Sequence, residues 1–235
     1  MGWEVQIAGD KPDLHSLSES LTDGAVRILE KEGNYYLLAD TFEALTDVDT
    51  VRAEAARILQ SLSGSSALVL GTVSPFGVGG IYLREPGESD QAFFLVQPAV
   101  LQVRGFAPTL VVADEHGNTV THRPGDPARV HLKNALADPN VAKALRLRGQ
   151  GELAWVDLYR ILEVILDAVP LKDVVAAGWC SETEIRSFRH TANSVGALGD
   201  DSRHGAEQTQ PPKRPMLLGT ARELIDRLLN AWLKS

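Results

Sequence analysis

Side chains suited to acid–base and phosphate chemistry are concentrated in residues 188–205. These eighteen positions contain His190, His204, Arg189, Arg203, Asn193, Asp200 and Asp201. An imidazole titrates near neutral pH and can move protons, whereas a guanidinium can hold a phosphate through paired hydrogen bonds. Cleavage of RNA without a metal needs both kinds of group: a base for the 2′-hydroxyl, a donor for the leaving oxygen and a cation for the phosphorane.

The first part of this segment is predicted to lie on a helix. Ser181 and Glu184 are spaced as a capping box, so a helix is expected to begin there and to run toward Asn193. Arg186, His190 and Asn193 are spaced at offsets of four and three, and Arg189 and Asn193 are also four residues apart. Residues at these offsets are neighbours on a helix surface, so these side chains can converge.

The rest of the rear half also has helical period. Helices are predicted over residues 141–147, with Pro139 in the first turn, over 155–166 and over 220–233. A proline-stiffened loop, residues 208–215, precedes the last helix and exposes two cations, Lys213 and Arg214.

The front half is dominated by short strand patterns instead. Hairpins are predicted over residues 25–38, with Gly33 and Asn34 at the turn, and over 109–121. An amphipathic helix is expected over 47–62, ended by Ser63-Gly64-Ser65-Ser66. Further strands are expected at residues 3–7, 67–70, 80–83, 92–96 and 100–103. Because a strand follows Gly77-Val78-Gly79-Gly80, these glycines indicate a β-turn and not a phosphate-binding loop.

These patterns predict an α+β protein in two parts. Residues 1–130 are expected to form an antiparallel, strand-rich domain with one main helix, and residues 136–235 an all-α helical bundle. The junction is placed between residues 124 and 136, where Pro124-Gly125-Asp126-Pro127 interrupts the strand pattern.

Composition and charge narrow the function classes. The net charge of −8 lies in residues 1–135, which hold 10 Lys/Arg and 18 Asp/Glu, whereas residues 136–235 hold 13 of each. Such a front half disfavours a duplex-DNA surface, because phosphate binding depends on Lys and Arg. No signal peptide or membrane span is evident, and Cys180 is the only cysteine, so a cytoplasmic location is expected. No cofactor or metal is expected, and His116, His122 and His131 are interpreted as surface histidines.

The rear half resembles the HEPN superfamily of helical bundles. The resemblance covers about residues 136–235 and depends on Leu-Tyr-Arg-Ile-Leu-Glu (158–163), the Arg/Asn/His segment and a final helix (215–233) that begins with a proline. It implies either a metal-independent, dimeric ribonuclease of toxin–antitoxin or antiphage systems, or a module that binds nucleotides or partners. The family motif is an arginine, four to six residues and a histidine. Here Arg186 and His190 are separated by three residues, and Arg189 and His204 by fourteen.

Two hypotheses follow for the polar segment. In the first, RNA is the substrate, a homodimer is formed, and the resemblance places Arg189 or Asn193 in the arginine part of the motif and His204 in the histidine part. The full set of candidate catalytic residues is His204, Arg203, Arg189, Asn193 and His190. In the second, the bundle binds a nucleotide or a partner without catalysis and the polar groups are structural: Asp200 and Asp201 cap a short helix, Arg203 pairs with Glu163, and His204 donates to a backbone carbonyl.

Overall fold

A computed structural model describes residues 2–84, 91–93, 109–113, 119–206 and 210–235. The chain has an α+β fold with an antiparallel sheet near its N-terminus and a helical C-terminal region. The strands are β1 (Gly2–Ala8), β2 (Val26–Lys31), β3 (Asn34–Ala39), β4 (Gly77–Arg84), β5 (Gln91–Phe93), β6 (Leu110–Ala113) and β7 (Thr119–His122). The helices are α1 (Lys11–Ser20), α2 (Val48–Val69), α3 (Asp126–Ala137), α4 (Pro139–Arg148), α5 (Trp155–Ala168), α6 (Leu171–Ala176), α7 (Glu182–Ala192), α8 (Val195–Leu198) and α9 (Leu218–Leu233).

The main sheet has the strand order β2-β3-β1-β4-β5, with every pairing antiparallel. Trp3, Val5 and Ile7 of β1 are buried and alternate with more exposed residues, as the strand prediction for residues 3–7 required. The strands β6 and β7 pair with each other, which confirms the strands of the second predicted hairpin. Its turn and the strand predicted at residues 100–103 lie outside the described residues.

The first hairpin is confirmed, but its turn differs by one residue from the prediction. Glu32 and Gly33, with φ of 52° and 72°, occupy the left-handed region, and Asn34 is already the first residue of β3. The pairing Lys31↔Asn34 leaves two residues to connect the strands. A two-residue loop with positive φ at both positions matches the twist of the strands, so Glu32 takes the strained position that was assigned to Asn34.

The helix predicted over residues 47–62 begins where expected but is much longer. Asp47 caps α2 by accepting hydrogen bonds from the backbone N–H groups of Asp49 and Thr50. The helix passes through 63–66, the predicted terminator, and continues to Val69, so it includes all but the last residue of the strand predicted at 67–70. The small residues serve a close approach to α4, because a Cβ on Gly64 would lie 1.9 Å from the carbonyl oxygen of Leu145.

One other expectation for the front half is wrong. The residues Gly77–Gly80 belong to β4 instead of a turn, and Gly79 lies against the backbone of Gln6, where a side chain would be crowded. The helices α1 and α3 are not predicted from the sequence, and each contains a proline, Pro12 or Pro127. Both prolines stand in the first turn of their helix, where the missing N–H has no cost.

The hydrophobic core consists of two clusters. One lies between the sheet, α1 and α2 and includes Ala128 and Leu132 of α3. The other fills the bundle formed by α4, α5, α7 and α9, with Val174 of α6. The change between clusters falls after Leu132, near the predicted junction, while the division into domains 1–130 and 136–235 remains a prediction. The helices expected at 141–147, 155–166 and 220–233 are present as α4, α5 and α9.

Candidate functional site

The start of α7 is fixed by the predicted capping box. Ser181 accepts a hydrogen bond from the N–H of Glu184, and the Glu184 carboxylate accepts from the N–H of Ser181 at 2.8 Å. Arg227 of α9 donates to the same carboxylate. The Ser181 N–H and the Arg227 guanidinium together lower the pKa of Glu184 to about 2. The helix is therefore anchored to α9 at its first turn.

The buried face of α7 fixes the orientation of this helix in the bundle. Ile185, Phe188 and Ala192 are buried in the rear cluster, and Phe188 stacks on Tyr159 with ring centroids 5.9 Å apart. Arg189 and Asn193 continue the row of Ile185 at offsets of four, so they border this buried face. Together with Arg186 and His190 they form a second, more exposed face of the helix.

A pocket of about 410 Å³ lies along this second face of α7. We refer to it as the α7 pocket; its lining residues are Leu171, Glu182, Ile185, Arg186, Arg189, His190 and Asn193. It brings together three of the five candidate residues, Arg189, His190 and Asn193, as the helical spacing predicted. It also includes Arg186, so the lining contains two guanidinium groups and one carboxylate, that of Glu182.

Two polar atoms of these lining residues are buried without a hydrogen-bond partner in the described part of the chain. They are Nε of Arg189 and Oδ1 of Asn193, one a donor and the other an acceptor. A buried polar group that lacks a partner costs roughly 1–3 kcal/mol, and more when the group is charged. The residues that line the α7 pocket therefore include a cation with an unsatisfied N–H and an amide with an unsatisfied oxygen.

His190 is oriented by the loop that precedes α9. Its Nε2 lies 2.8 Å from the backbone carbonyl oxygen of Gln210. A carbonyl oxygen only accepts, so Nε2 carries the proton, and Nδ1 is the acceptor of the neutral ring. The second anchor of this loop is adjacent, because the N–H of Met216 donates to Oγ1 of Thr191 at 3.0 Å.

Arg203 lies outside the α7 pocket and is held by other groups. Its Nη2 is 2.8 Å from Oε1 of Glu163, and its guanidinium carbon lies 4.1 Å from the ring centroid of Tyr159. Its backbone N–H donates to the carbonyl of Ala192 at 2.8 Å. This contact joins the residue to the end of α7, while the ion pair and the cation–π contact direct the side chain onto α5.

His204 is not part of the pocket lining either. Its carbonyl oxygen accepts a hydrogen bond from the hydroxyl of Ser202 at 2.5 Å. Asp200 and Asp201 are exposed in a 3-10 turn, Gly199–Asp201. The cap of α8 is Ser194, which accepts from the N–H of Ala197, so the cap proposed for the two aspartates is wrong. The Arg203–Glu163 pair of the structural hypothesis is present.

Sequence reasoning found the three residues that share α7 and missed what surrounds them. Arg186 was recognised as lying on the same face but was not included in the site, although its offset of three from Arg189 placed it there. Leu171, which closes the pocket from α6, had no signal in the sequence. The same is true of the contact between His190 and Gln210.

The wider comparisons add no known relative. No protein-family model, curated protein or solved structure matches the chain. Across the described ranges, no group of three or more His, Cys, Asp or Glu side chains is arranged to hold a metal ion. A search of the same residues found no helix with the length and apolar character needed to cross a membrane. The candidate function therefore depends on the α7 pocket itself.

Proposed function

We propose that the rear half is a HEPN-like binding or sensing module whose α7 pocket takes a phosphate-bearing small ligand, a nucleotide being the class favoured. The observation that carries this proposal is the pair of guanidinium groups, Arg186 and Arg189, that line the α7 pocket; the buried Nε–H of Arg189 has no acceptor among the described residues. A phosphate oxygen supplies the acceptor that a guanidinium N–H lacks. The amide of Asn193 offers a second contact for a hydroxyl or base N–H of the same ligand.

The position of Arg203 favours binding over catalysis. The nuclease hypothesis places Arg203 and His204 beside Arg189, but Arg203 is paired with Glu163 and stacked on Tyr159 instead. Recruiting its guanidinium would break a charge-assisted hydrogen bond and a cation–π contact. A binding role needs only the groups that already line the α7 pocket.

The test is a calorimetric titration of the full chain with inorganic phosphate and with nucleoside monophosphates. We expect saturable binding of a monophosphate, weakened roughly 10- to 100-fold by Arg189→Gln, since a hydrogen bond to a charged group contributes about 1.5–3 kcal/mol. Arg203→Gln is the matched control, because it removes the same charge outside the pocket. Absence of binding, or equal loss in both variants, would contradict the proposal.

A second candidate, metal-independent RNA cleavage, is favoured by one observation. The contact with Gln210 leaves Nδ1 of His190 as a proton acceptor next to Arg189 and Asn193. Such a site has one positioned base, so a second copy of the chain or another group must protonate the leaving oxygen.

Incubation of RNA with the protein in a chelator separates the two candidates. The nuclease hypothesis expects cleavage that His190→Ala abolishes, whereas binding alone expects intact RNA. His204→Ala serves as the control, because the family resemblance places His204 in the histidine part of the motif. Cleavage that is lost in His204→Ala but retained in His190→Ala would show that His204 is the catalytic histidine. The α7 pocket would then not be the site of cleavage.

A further inference from the structure

The loop that leads into α9 contacts His190 of the α7 pocket and carries two cations. Residues 210–216, here called the anchor loop, are fixed at Gln210 to His190 and at Met216 to Thr191. These two contacts lie on consecutive residues of α7, so the loop leaves the helix and returns to the same turn. Its position relative to the pocket is therefore set at both ends.

The anchor loop presents two exposed cations, Lys213 and Arg214. Within the described part of the chain, neither forms an ion pair. Three residues span at most about 11 Å, so the backbone of Lys213 lies within that distance of Gln210, whose carbonyl contacts the pocket residue His190.

The loop is stiffened for this arrangement. Pro211, Pro212 and Pro215 flank the two cations and fix φ on both sides of them. A chain segment that is pre-organised loses less conformational entropy when it orders on a ligand. The cations are therefore held near the α7 pocket with little freedom to lose on binding.

Building on the proposed function, we infer that Lys213 and Arg214 form a second anion subsite and that the ligand is a small polyphosphate. One phosphate occupies the α7 pocket at Arg189 and Arg186, and a phosphate further along the chain contacts the anchor loop. A chain with net charge −8 repels such a ligand overall, so a local group of four Arg and Lys side chains is what makes its capture favourable. The subsite selects for the number of phosphates, whereas the α7 pocket provides the first contact.

The experiment compares inorganic phosphate with tripolyphosphate by calorimetry at one ionic strength, without metal. Wild-type protein is expected to bind tripolyphosphate roughly tenfold or more tightly than phosphate. The double variant Lys213→Ala/Arg214→Ala should lose most of this preference and keep its affinity for phosphate. The control, Lys133→Ala/Lys143→Ala, removes the same charge from exposed positions on α3 and α4 and should keep the preference.

The outcomes separate this inference from the function on which it rests. If wild-type protein binds phosphate but the loop variant keeps the preference for tripolyphosphate, the second subsite is wrong and the α7 pocket stands. If the loop variant and the control lose the preference equally, net charge explains it and the subsite is again overturned. If wild-type protein binds neither anion, the proposed function fails, and the subsite fails with it.

Discussion

His131 is the residue whose surroundings depart most from the expectation of a surface histidine. Its side chain is 3% exposed, and Nδ1 lies 2.9 Å from the hydroxyl oxygen of Ser65 on α2. Burial, with a smaller contribution from the charge of Lys234, lowers the pKa of His131 to about 4. The folded protein therefore keeps this imidazole neutral where an unfolded chain would protonate it.

This depressed pKa predicts a pH-dependent loss of stability. The unfolded state takes up a proton near pH 6.5 and the folded state only near pH 4, so the contribution of His131 is complete above pH 6.5 and falls as the pH drops toward 4. Urea unfolding should show a wild-type loss of about 2 kcal/mol between pH 7.5 and 5, relative to His131→Gln.

The control for this prediction is His122→Gln, at an exposed position on β7. Glutamine at position 131 does not titrate but keeps a polar group that can contact Ser65. Both variants replace a histidine with glutamine, and they differ only in whether that histidine is buried or exposed. Parallel pH dependences for wild type, His122→Gln and His131→Gln would contradict the assignment of the slope to His131.

For individual residues, the sequence predicts neighbours on the same helix better than contacts between distant segments. Arg189, His190 and Asn193 converge because their offsets fix them on one turn and a half of α7. Arg203 follows a stretch without period, so its spacing could not decide between the pocket and Glu163. Whether it joins the site depends on the ring of Tyr159, which becomes its neighbour only after the helices pack.

Helix α2 shows how close packing overrides local propensity. Two of its serines bond back along the helix: the hydroxyl of Ser61 donates to the carbonyl of Arg57, and that of Ser63 to the carbonyl of Leu59 at 2.7 Å. The backbone of Gly149 also approaches α2, since a Cβ there would lie 2.1 Å from the carbonyl of Gln60. The run 63–66 looks like a terminator in sequence, and the reason it continues as helix is the contact with α4.

Gly64→Ala tests this contact. Alanine is the better helix former by about 1 kcal/mol, but its Cβ would meet the backbone of Leu145 and force α2 and α4 apart. We expect a net destabilisation of roughly 1–3 kcal/mol in urea unfolding, the cost of overpacking.

Gly219→Ala is the matched control, because nothing lies within 4 Å of a Cβ at this position in the first turn of α9. It should leave stability unchanged or raise it slightly. Equal effects of the two substitutions would show that α2 and α4 have room to separate, and the packing explanation for residues 63–66 would then be wrong.

Over the whole molecule, the α+β class and the helical character of the rear half follow from the sequence, because the period of the apolar residues changes from two to nearly four along the chain. The sheet order and the contact between α2 and α4 do not follow from it. They depend on pairings between distant segments, such as β1 with β4, that no local pattern specifies.

The distribution of charge along the chain affects where an anionic ligand binds. The excess acid lies in residues 1–135, while Arg186, Arg189, Lys213 and Arg214 belong to the rear half. An anionic ligand is therefore repelled by most of the surface and attracted near α7, which favours binding at one place. The same separation predicts that affinity falls as salt is added, since exposed cations are screened.

The most direct test of the α7 pocket follows the Nε–H resonance of Arg189 by NMR during titration with a nucleoside monophosphate. That N–H is buried and has no acceptor among the residues that the structure describes. The proposal predicts a saturable downfield shift of this resonance as the phosphate becomes its acceptor, with little change at Arg203, which is already bonded to Glu163. Saturable binding that shifts Arg203 and leaves Arg189 unchanged would contradict it.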